Sequence, residues 1–249
     1  MKRFLSTISL LLLLTCAASA QYTLSGKIEY ERKTNVLAQM KDNIDEENNT
    51  WYEEMKSRIP KFTTTYFDLI FDTTRAIYKP GREVENPVKS FWGSDPAADN
   101  IVLTDFKTEK VKAVKNVFEQ KFMVQDTMRK IAWKLKDEIR TIANYKCRKA
   151  VGVICDSVYV VAFYAEDIPA PAGPEMFGSL PGIIMELAIP RLHTTWTATK
   201  IELIAPTDAD FKIPEKGKVV TEKALYETIK SSLKDWGKWA AKNVWWSVI

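Results

Sequence analysis

Hydrophobic and polar residues alternate along much of the chain. This period of two predicts β-strands, because successive side chains of a strand point to opposite faces. Residues 63–72 show the alternation clearly. Four further segments form two predicted hairpins with short turns: residues 145–153 with 158–164, and residues 182–189 with 193–203. Many short strands with tight turns indicate one antiparallel sheet, which we expect to be curved.

Helical spacing occurs in two places. Residues 35–58 carry apolar residues at loosely helical intervals, and the polar run from Asn48 to Thr50 splits them into two short predicted helices. Near the end, apolar residues three and four positions apart follow an N-cap residue, Thr221, and predict one amphipathic helix over residues 221–246. The predicted fold class is therefore α+β and β-rich, with a curved antiparallel sheet and helices packed on one side.

The first twenty residues have the pattern of a secretory signal peptide. A short positive start precedes an apolar run, and Ala18 to Ala20 supply the small residues of a cleavage site. The apolar run is shorter than the roughly 20 residues of a membrane-spanning helix, and no other stretch of the sequence could span a bilayer. We expect a signal peptide at residues 1–20, one exported domain over residues 21–249, and a location in the periplasm or at the outer-membrane periphery. A lipoprotein signal at Cys16 is the alternative.

The composition sets limits on structure and partners. The 249 residues carry 36 basic and 32 acidic side chains, and loss of the two basic leader residues lowers the net charge from +4 to +2. So small an excess gives no electrostatic basis for binding nucleic acid or an acidic membrane surface. With 46% hydrophobic residues, 9 glycines and 11 prolines, the chain is not disordered or of low complexity.

Cysteine and histidine are scarce, which limits the chemistry. Two cysteines remain after the leader, Cys147 and Cys155. They can form a disulfide only if the chain turns near Gly152; a turn at residues 155–157 leaves them free, and this second alternative is favoured. No Cys-x-x-Cys motif and no second histidine occur, so we predict no metal and no other cofactor.

The single histidine, His193, has no nucleophile motif to accompany it, neither G-x-S-x-G nor a glycine-rich phosphate loop. We therefore expect a non-enzymatic protein. A hydrolase that pairs an Asp or Glu with His193, or a metal-dependent enzyme, is the alternative. The many aromatic residues also permit an apolar pocket, with Trp133, Trp196 and Phe163 as its candidates, although such residues more often form plain core.

One segment rich in proline and glycine stands apart. Its prolines hold the backbone extended up to Pro174, and a compact turn then leads into an apolar strand. The run Gly173-Pro174-Glu175-Met176-Phe177-Gly178-Ser179-Leu180-Pro181-Gly182-Ile183-Ile184 resembles the signature of the GLPGLI family, exported proteins of Bacteroidota. Ser179 interrupts the signature, and Ile183 replaces its second leucine. We call residues 173–182 the signature loop.

The resemblance continues upstream of that loop. Ala132 to Leu135 is similar to the family's tryptophan strand, and Ile142 to Ala150 is similar to its Gly-Tyr-x-Cys-x-Lys-Ala strand, with Asn144 in place of the glycine. The loop positions that carry the resemblance are Gly173, Pro174, Phe177, Gly178, Leu180, Pro181 and Gly182.

The resemblance implies a location and an architecture but no reaction. The family has no assigned function and supplies no catalytic residues; its members are exported and often encoded near outer-membrane receptors. Its strand pattern is similar to that of lipoprotein-carrier-like folds, in which a curved sheet encloses an apolar cavity. We therefore expect a cell-envelope protein that binds an apolar small molecule, or an outer-membrane protein through the proline-rich segment and the terminal helix.

Overall fold

A computed structural model describes residues 23–42, 44, 49–85 and 96–249 of the chain. Strands dominate these residues: β1 (Gly26–Asn35), β2 (Phe62–Phe71), β3 (Arg75–Pro80), β4 (Ile101–Asp105), β5 (Lys110–Val117), β6 (Gln120–Thr127), β7 (Lys134–Ile142), β8 (Tyr145–Ile154), β9 (Val158–Ala165), β10 (Ile183–Ile189), β11 (Thr194–Glu202) and β12 (Lys218–Val220). The same residues contain the helices α1 (Val36–Lys41), α2 (Asn49–Met55), α3 (Glu222–Ser232) and α4 (Lys238–Val248), and a 3-10 turn at Pro190–Leu192. The predicted signal peptide at residues 1–20, with Cys16, lies outside the described residues.

All twelve strands belong to one mixed sheet, in the order β12-β6-β5-β4-β3-β2-β1-β11-β10-β9-β8-β7. Neighbouring strands are antiparallel except at one end, where β12 runs parallel to β6. The sheet is not closed, because β12 and β7 remain its outer strands. Strands account for 45% of the structure and helices for 16%.

The predicted fold class is therefore wrong. The protein is mostly β, with a mixed sheet, and not an α+β protein with a layer of helices packed on an antiparallel sheet. The two predicted helices within residues 35–58 do form, but they have only 6 and 7 residues. The parallel pair arises because β12 follows a long connection after β11, and side-chain alternation does not distinguish parallel from antiparallel neighbours.

The helix expected over residues 221–246 is two helices of 11 residues each, α3 and α4. Thr221 is the N-cap of the first, as predicted, and its Oγ1 accepts a hydrogen bond from the backbone N–H of Ala224 at 3.2 Å. The break falls between Leu233 and Gly237, where Gly237 takes a left-handed φ of +56° that ends helical continuity. None of the helices in the described residues is long and apolar enough to cross a membrane.

The main core lies along one face of the sheet, and a smaller cluster of Ile70, Ile77 and Phe211 is separate from it. In β1 the buried side chains alternate strictly, at Ile28, Tyr30, Arg32 and Thr34. The signature loop and the end of α4 pack against this face and fill it. The ring centroids of Trp196 on β11 and Trp246 on α4 are 6.2 Å apart, for example.

Candidate functional site

The signature loop is held inside the molecule by close backbone approaches. A Cβ atom added at Gly182 would lie 2.1 Å from the carbonyl oxygen of Ala165, and one added at Gly178 would lie 2.4 Å from that of Pro171. Gly173 packs in the same way against the side chain of Ile184. At Gly178 and Gly182 a larger residue would force two backbone segments apart, whereas at Gly173 it would displace the Ile184 side chain.

The other signature residues share this environment. Pro174, Phe177 and Leu180 are buried, and only Ser179 and Pro181 of the loop reach the surface. The sequence predicted that a partner docks through this segment, but little of the signature loop is exposed for such a contact.

The three candidate pocket residues lie in separate packing environments. Trp196 is completely buried, and its Nε1–H donates a hydrogen bond to the hydroxyl of Tyr78 at 3.1 Å. Trp133 is half-buried, and its Nε1–H donates to the carbonyl of Gly178 at 3.0 Å. Phe163 is buried under the guanidinium of Arg140, 4.2 Å from its ring centroid. The arrangement does not gather the three around one opening, and the apolar pocket stays a prediction.

A buried polar cluster lies where the signature loop meets the sheet. Glu175 of the loop accepts a hydrogen bond from Nδ2 of Asn100 at 2.8 Å, while its Oε1 has no partner among the described residues. Lys115 on β5 is the strongest positive charge acting on this carboxylate. Glu175, Asn100 and Lys115 are all at most 2% exposed. Such burial of charge is costly unless the charges compensate one another.

Burial shifts the acid–base behaviour of this cluster. Loss of hydration raises the pKa of Glu175, and the nearby Lys115 only partly opposes the shift. Loss of hydration also lowers the pKa of Lys115 to about 8, against the opposing charge of Glu175. The opposite charge of each residue thus favours the charged form of the other, and burial opposes it.

Arg32 extends the cluster towards the aromatic core. Its guanidinium carbon lies 4.8 Å from the ring centroid of Phe67 and 5.5 Å from that of Trp246, both cation–π distances. Its Nη1 donates to the carbonyl of Pro96 at 2.9 Å and its Nε to Oγ1 of Thr65 at 3.2 Å. The guanidinium of Arg32 is fully buried, and it interacts with these ring faces and oxygen atoms.

Two cationic side chains hold the end of α4. Nζ of Lys115 donates to the main-chain oxygen of Ile249, and Nη2 of Arg129 donates to that of Val248. Arg129 also binds Oε1 of Glu222 at the start of α3, through Nε at 3.0 Å and Nη2 at 2.7 Å. The two C-terminal helices are therefore joined to the sheet through Arg129.

Arg129 borders an open groove of about 460 Å³. The end of β6, the turn between β8 and β9, and the first turn of α3 form its walls, and their lining residues include Asp126, Met128, Cys155, Asp156 and Tyr226. The signature loop supports this wall from behind, because Oγ of Ser179 donates to the carbonyl of Arg129 at 3.2 Å. A groove of this volume lies in the size range of small-ligand sites.

His193 does meet a carboxylate. Its Nε2 is 2.7 Å from Oδ2 of Asp42, and the same oxygen accepts a hydrogen bond from Nζ of Lys242 at 2.9 Å. Desolvation would raise the pKa of Asp42, but the bonds from Lys242 and His193 outweigh it and hold that pKa below its usual value. In the described ranges, no group of three or more His, Cys, Asp and Glu side chains is arranged to hold a metal ion.

The favoured prediction for the cysteines is confirmed. Cys147 and Cys155 are both free thiols. The chain turns at Cys155 and Asp156, which have left-handed φ values of 48° and 61°, and this turn leaves Cys147 at the far end of β8. Burial raises the pKa of Cys147 to about 12 and raises that of Cys155 as well.

Sequence reasoning missed the charged residues of the buried cluster. One signal could have found two of them. Arg32 follows Ile28 and Tyr30 at the inward register of β1, and Lys115 follows Val111 and Ala113 at that of β5. A basic residue on the apolar face of a strand indicates a buried charge that needs a partner. No comparable pattern marks Arg129.

One family model of unknown function is similar to the short part of the chain that contains the signature loop. A family model described as "Protein of unknown function (Porph_ging)" matches residues 152–186, which include the signature loop and the β8–β9 turn. The match does not carry the name GLPGLI. No curated protein matches the chain.

The fold has relatives among solved structures. The chain is similar to PNGF-II in its P21 crystal form, with 14% identity over 79% of this chain and 32% of that one, and a TM-score of 0.52. The C2 form gives 13% identity, 89% and 33% coverage, and a TM-score of 0.51. An uncharacterized conserved protein from Thermus thermophilus has 6% identity, with 80% and 91% coverage, and a TM-score of only 0.40. This chain thus spans about a third of the PNGF-II chains, and at such low identity the likeness concerns the fold alone.

Proposed function

We propose that this chain is an exported, non-enzymatic protein of the cell envelope, in the periplasm or at the outer-membrane periphery, that binds a partner protein at the groove beside Arg129. The observation that carries the proposal is the open groove of about 460 Å³ beside Arg129. An apolar small molecule has less support as the ligand, because Trp196 and Phe163 are occupied by packing with Tyr78 and Arg140.

A hydrolase that uses His193 is the second candidate. The 2.7 Å contact between His193 and Asp42 is the observation in its favour. We rank it below a binding role because the same oxygen of Asp42 also accepts a hydrogen bond from Lys242. A carboxylate oxygen that binds both Lys242 and His193 is typical of an ion pair that holds α4 in place. It is less typical of a carboxylate that orients a general base.

Export can be tested by fractionating cells that express the full-length chain. We expect the protein in the envelope fractions, with a mature N-terminus at Gln21 by intact-mass measurement. A lipid-modified mass beginning at Cys16 would establish the lipoprotein alternative instead. A cytoplasmic protein that retains residues 1–20 would contradict the proposed location.

The groove can be tested by site-specific photo-crosslinking in the same cells. A benzophenone amino acid replaces Lys130, which lines the groove, or Lys200, which is exposed on β11 far along the sheet. We expect one defined envelope protein to crosslink at position 130 but not at position 200. Filling the groove with Lys223→Trp should abolish that crosslink. Equal capture at both positions, or capture that survives Lys223→Trp, would contradict a partner site here.

A further inference from the structure

Two aromatic rings meet at the molecular surface at one end of β6. Phe118 lies in the turn between β5 and β6, and Trp236 lies in the break between α3 and α4. Their ring centroids are 5.4 Å apart in an edge-to-face arrangement. In spite of this contact, Phe118 is 50% exposed and Trp236 is 51% exposed. We call these two residues the aromatic tip. Each ring keeps about half of its surface open to a contact from outside the chain.

The backbone at Phe118 is unfavourable for an aromatic residue. Phe118 and Glu119 have φ values of 47° and 65°, and they form the two-residue turn of the β5–β6 hairpin. Asn and Gly favour such a turn, because the Cβ atom of most other residues is crowded at positive φ. A phenylalanine here adds backbone strain without burying its ring. Folding alone therefore does not explain this residue, whereas a contact outside the chain does.

Lysines surround the aromatic tip. Four of them are exposed there, against two exposed acidic residues: Lys121, Lys216, Lys218 and Lys234, and Glu119 and Asp235. Lys216 and Lys218 belong to this group because Gly217, between them, packs on the main chain of Lys121. The nearby Glu215 is paired with Lys112, 3.8 Å from Oε1 to Nζ. The tip therefore has a local excess of two positive charges, which the small net charge of the whole chain does not reveal.

A bilayer surface suits this composition better than a protein surface does. Lysine is depleted in protein–protein interfaces, whereas tryptophan and phenylalanine beside lysine are typical of side chains that lie in the lipid headgroup region. Two half-exposed rings are also a small area for a specific protein interface, which buries about 1,200 Å² or more. A bilayer needs no complementary surface, because lipids rearrange around the side chains that insert.

We propose that the aromatic tip inserts into the headgroup region of a phospholipid bilayer, where the surrounding lysines contact lipid phosphates. This inference goes beyond the partner groove and does not depend on it. Phe118 lies two residues before β6 and Arg129 two residues after it, and the 8 residues of that strand span about 26 Å. The tip can therefore rest on a bilayer while the groove stays open to a partner.

Vesicle binding tests the proposal. The purified chain beginning at Gln21 is sedimented with sucrose-loaded vesicles of phosphatidylethanolamine and phosphatidylglycerol, mixed three to one. We expect Phe118→Asn and Trp236→Ser each to lower the partition coefficient by about tenfold, because each removes one inserting ring. Asn favours the turn that Phe118 occupies, so this variant should fold at least as well as wild type. Phe62→Asn is the matched control, because Phe62 is 44% exposed on another strand and should not affect binding.

A dye placed beside the tip reports insertion directly. Glu119→Cys in a Cys155→Ser background carries the environment-sensitive fluorophore NBD, while the buried Cys147 stays unlabelled. Asp137→Cys carries the same dye on β7, the outer strand at the opposite end of the sheet from β12 and β6. Vesicles should shift the NBD emission to shorter wavelength and raise its intensity several-fold at position 119, with no change at position 137. The melting temperature of each variant checks that it folds.

The outcomes are distinct. Loss of binding in both ring variants, retention in Phe62→Asn and an emission shift at position 119 alone support the proposal. A wild-type protein that does not sediment with vesicles, or a ring variant that binds as wild type does, overturns it. Equal loss in Phe62→Asn, or equal shifts at both dye positions, overturns it as well. If wild type instead self-associates without vesicles and the ring variants do not, a second copy covers the tip and the bilayer is the wrong partner. Crosslinking at Lys130 is measured separately, so none of these results decides the groove function.

Discussion

His193 and Asp42 lie 151 residues apart in sequence and 2.7 Å apart in the structure, from Nε2 to Oδ2. Asp42 follows the last turn of α1, and His193 follows the 3-10 turn between β10 and β11. Because Lys242 of α4 binds the same carboxylate oxygen, the contact joins three segments that are distant along the chain. The single histidine is thereby accounted for by a structural link.

Removing that link should lower stability modestly. For Asp42→Ala we expect a loss of about 0.5–1 kcal/mol in the free energy of unfolding at pH 7, since the carboxylate is partly exposed to water. The folded-state pKa of Asp42 lies below the ordinary value of 3.8. Its contribution is therefore fully present above that value and is lost as the pH falls through the folded pKa. Urea denaturation of both proteins from pH 7 to pH 2.5 measures the difference.

Asp137→Ala is the matched control, because Asp137 pairs with Arg148 while its own side chain is fully exposed. It should leave the urea midpoint unchanged at every pH. A difference between wild type and Asp42→Ala that does not shrink as the pH falls below 3.8 would show that the carboxylate charge is not the cause.

Glu175 and Lys115 should behave as a coupled pair. Either Glu175→Gln or Lys115→Met removes the strongest opposite charge that acts on the other buried group, and we expect each to cost about 1–3 kcal/mol. The double variant should cost less than the sum of the two by at least about 1 kcal/mol. A double-mutant cycle by chemical denaturation measures this coupling.

The exposed pair Lys200 and Glu202 provides the control cycle, in which both single variants and the double variant should have little effect. Strict additivity at Glu175 and Lys115 would mean that the two charges do not depend on each other, and that the buried cluster is held together by its other contacts.

Lys115 should also give the protein a characteristic alkaline pH dependence. Its folded-state pKa of about 8 lies below the ordinary 10.5. At pH values between these two, the unfolded chain therefore binds more protons than the folded chain does. Stability therefore rises with pH across this interval, by up to about 3 kcal/mol. The free energies of unfolding of wild type and Lys115→Met, measured by guanidinium denaturation from pH 7 to pH 10, isolate this contribution. If Lys115 does not titrate in this range, the difference between the two free energies should not change with pH.

Local sequence patterns predicted the strands better than they predicted the sheet. The hairpin expected at residues 145–153 and 158–164 is β8 and β9, because alternation and turn chemistry are local. Residue pairing between β1 and β11, by contrast, joins Arg32 to Trp196 across most of the chain. No local pattern specifies which distant strand becomes a neighbour, and for that reason the order of the strands and the parallel β12 could not be foreseen.

The candidate site was equally hidden, for a different reason. The sequence showed that the signature loop is unusual, but it did not show that the loop is internal. Whether Glu175 is buried depends on Lys115 and Asn100, which come from other elements. Arg129 borders a groove only because α3 and the β8–β9 turn close around it. The inward register of β5 could mark Lys115 as buried, but no periodic pattern indicates which residues of other elements meet it.

The signature loop should tolerate no added methyl group at its tightest point. In Gly182→Ala the new Cβ would lie 2.1 Å from the backbone oxygen of Ala165, so the strand and the loop must separate. We expect a loss of about 1–3 kcal/mol, measured by thermal or chemical unfolding. Gly237→Ala is the comparison, because a Cβ there has nothing within 4 Å and only its left-handed φ is unfavourable. Its cost should be about 1–3 kcal/mol from backbone strain alone, because φ is 56° and ψ is −135°. A Gly182→Ala variant that loses no stability would show that backbone crowding is not what requires glycine in the loop.

The two cysteines should differ sharply in reactivity. In the folded protein a thiol reagent such as DTNB should modify Cys155, which is partly exposed, while Cys147 on the buried face of β8 stays unmodified; both should react in guanidinium. Because burial raises the pKa of Cys155 above the ordinary 9.0, its reaction rate should keep increasing above pH 9, where an ordinary thiol levels off. Cys155→Ser should remove the native reaction and Cys147→Ser should not. If the native protein releases no thionitrobenzoate from DTNB, and the unfolded protein reacts only after a reductant is added, the two cysteines form a disulfide and the prediction of free thiols is wrong.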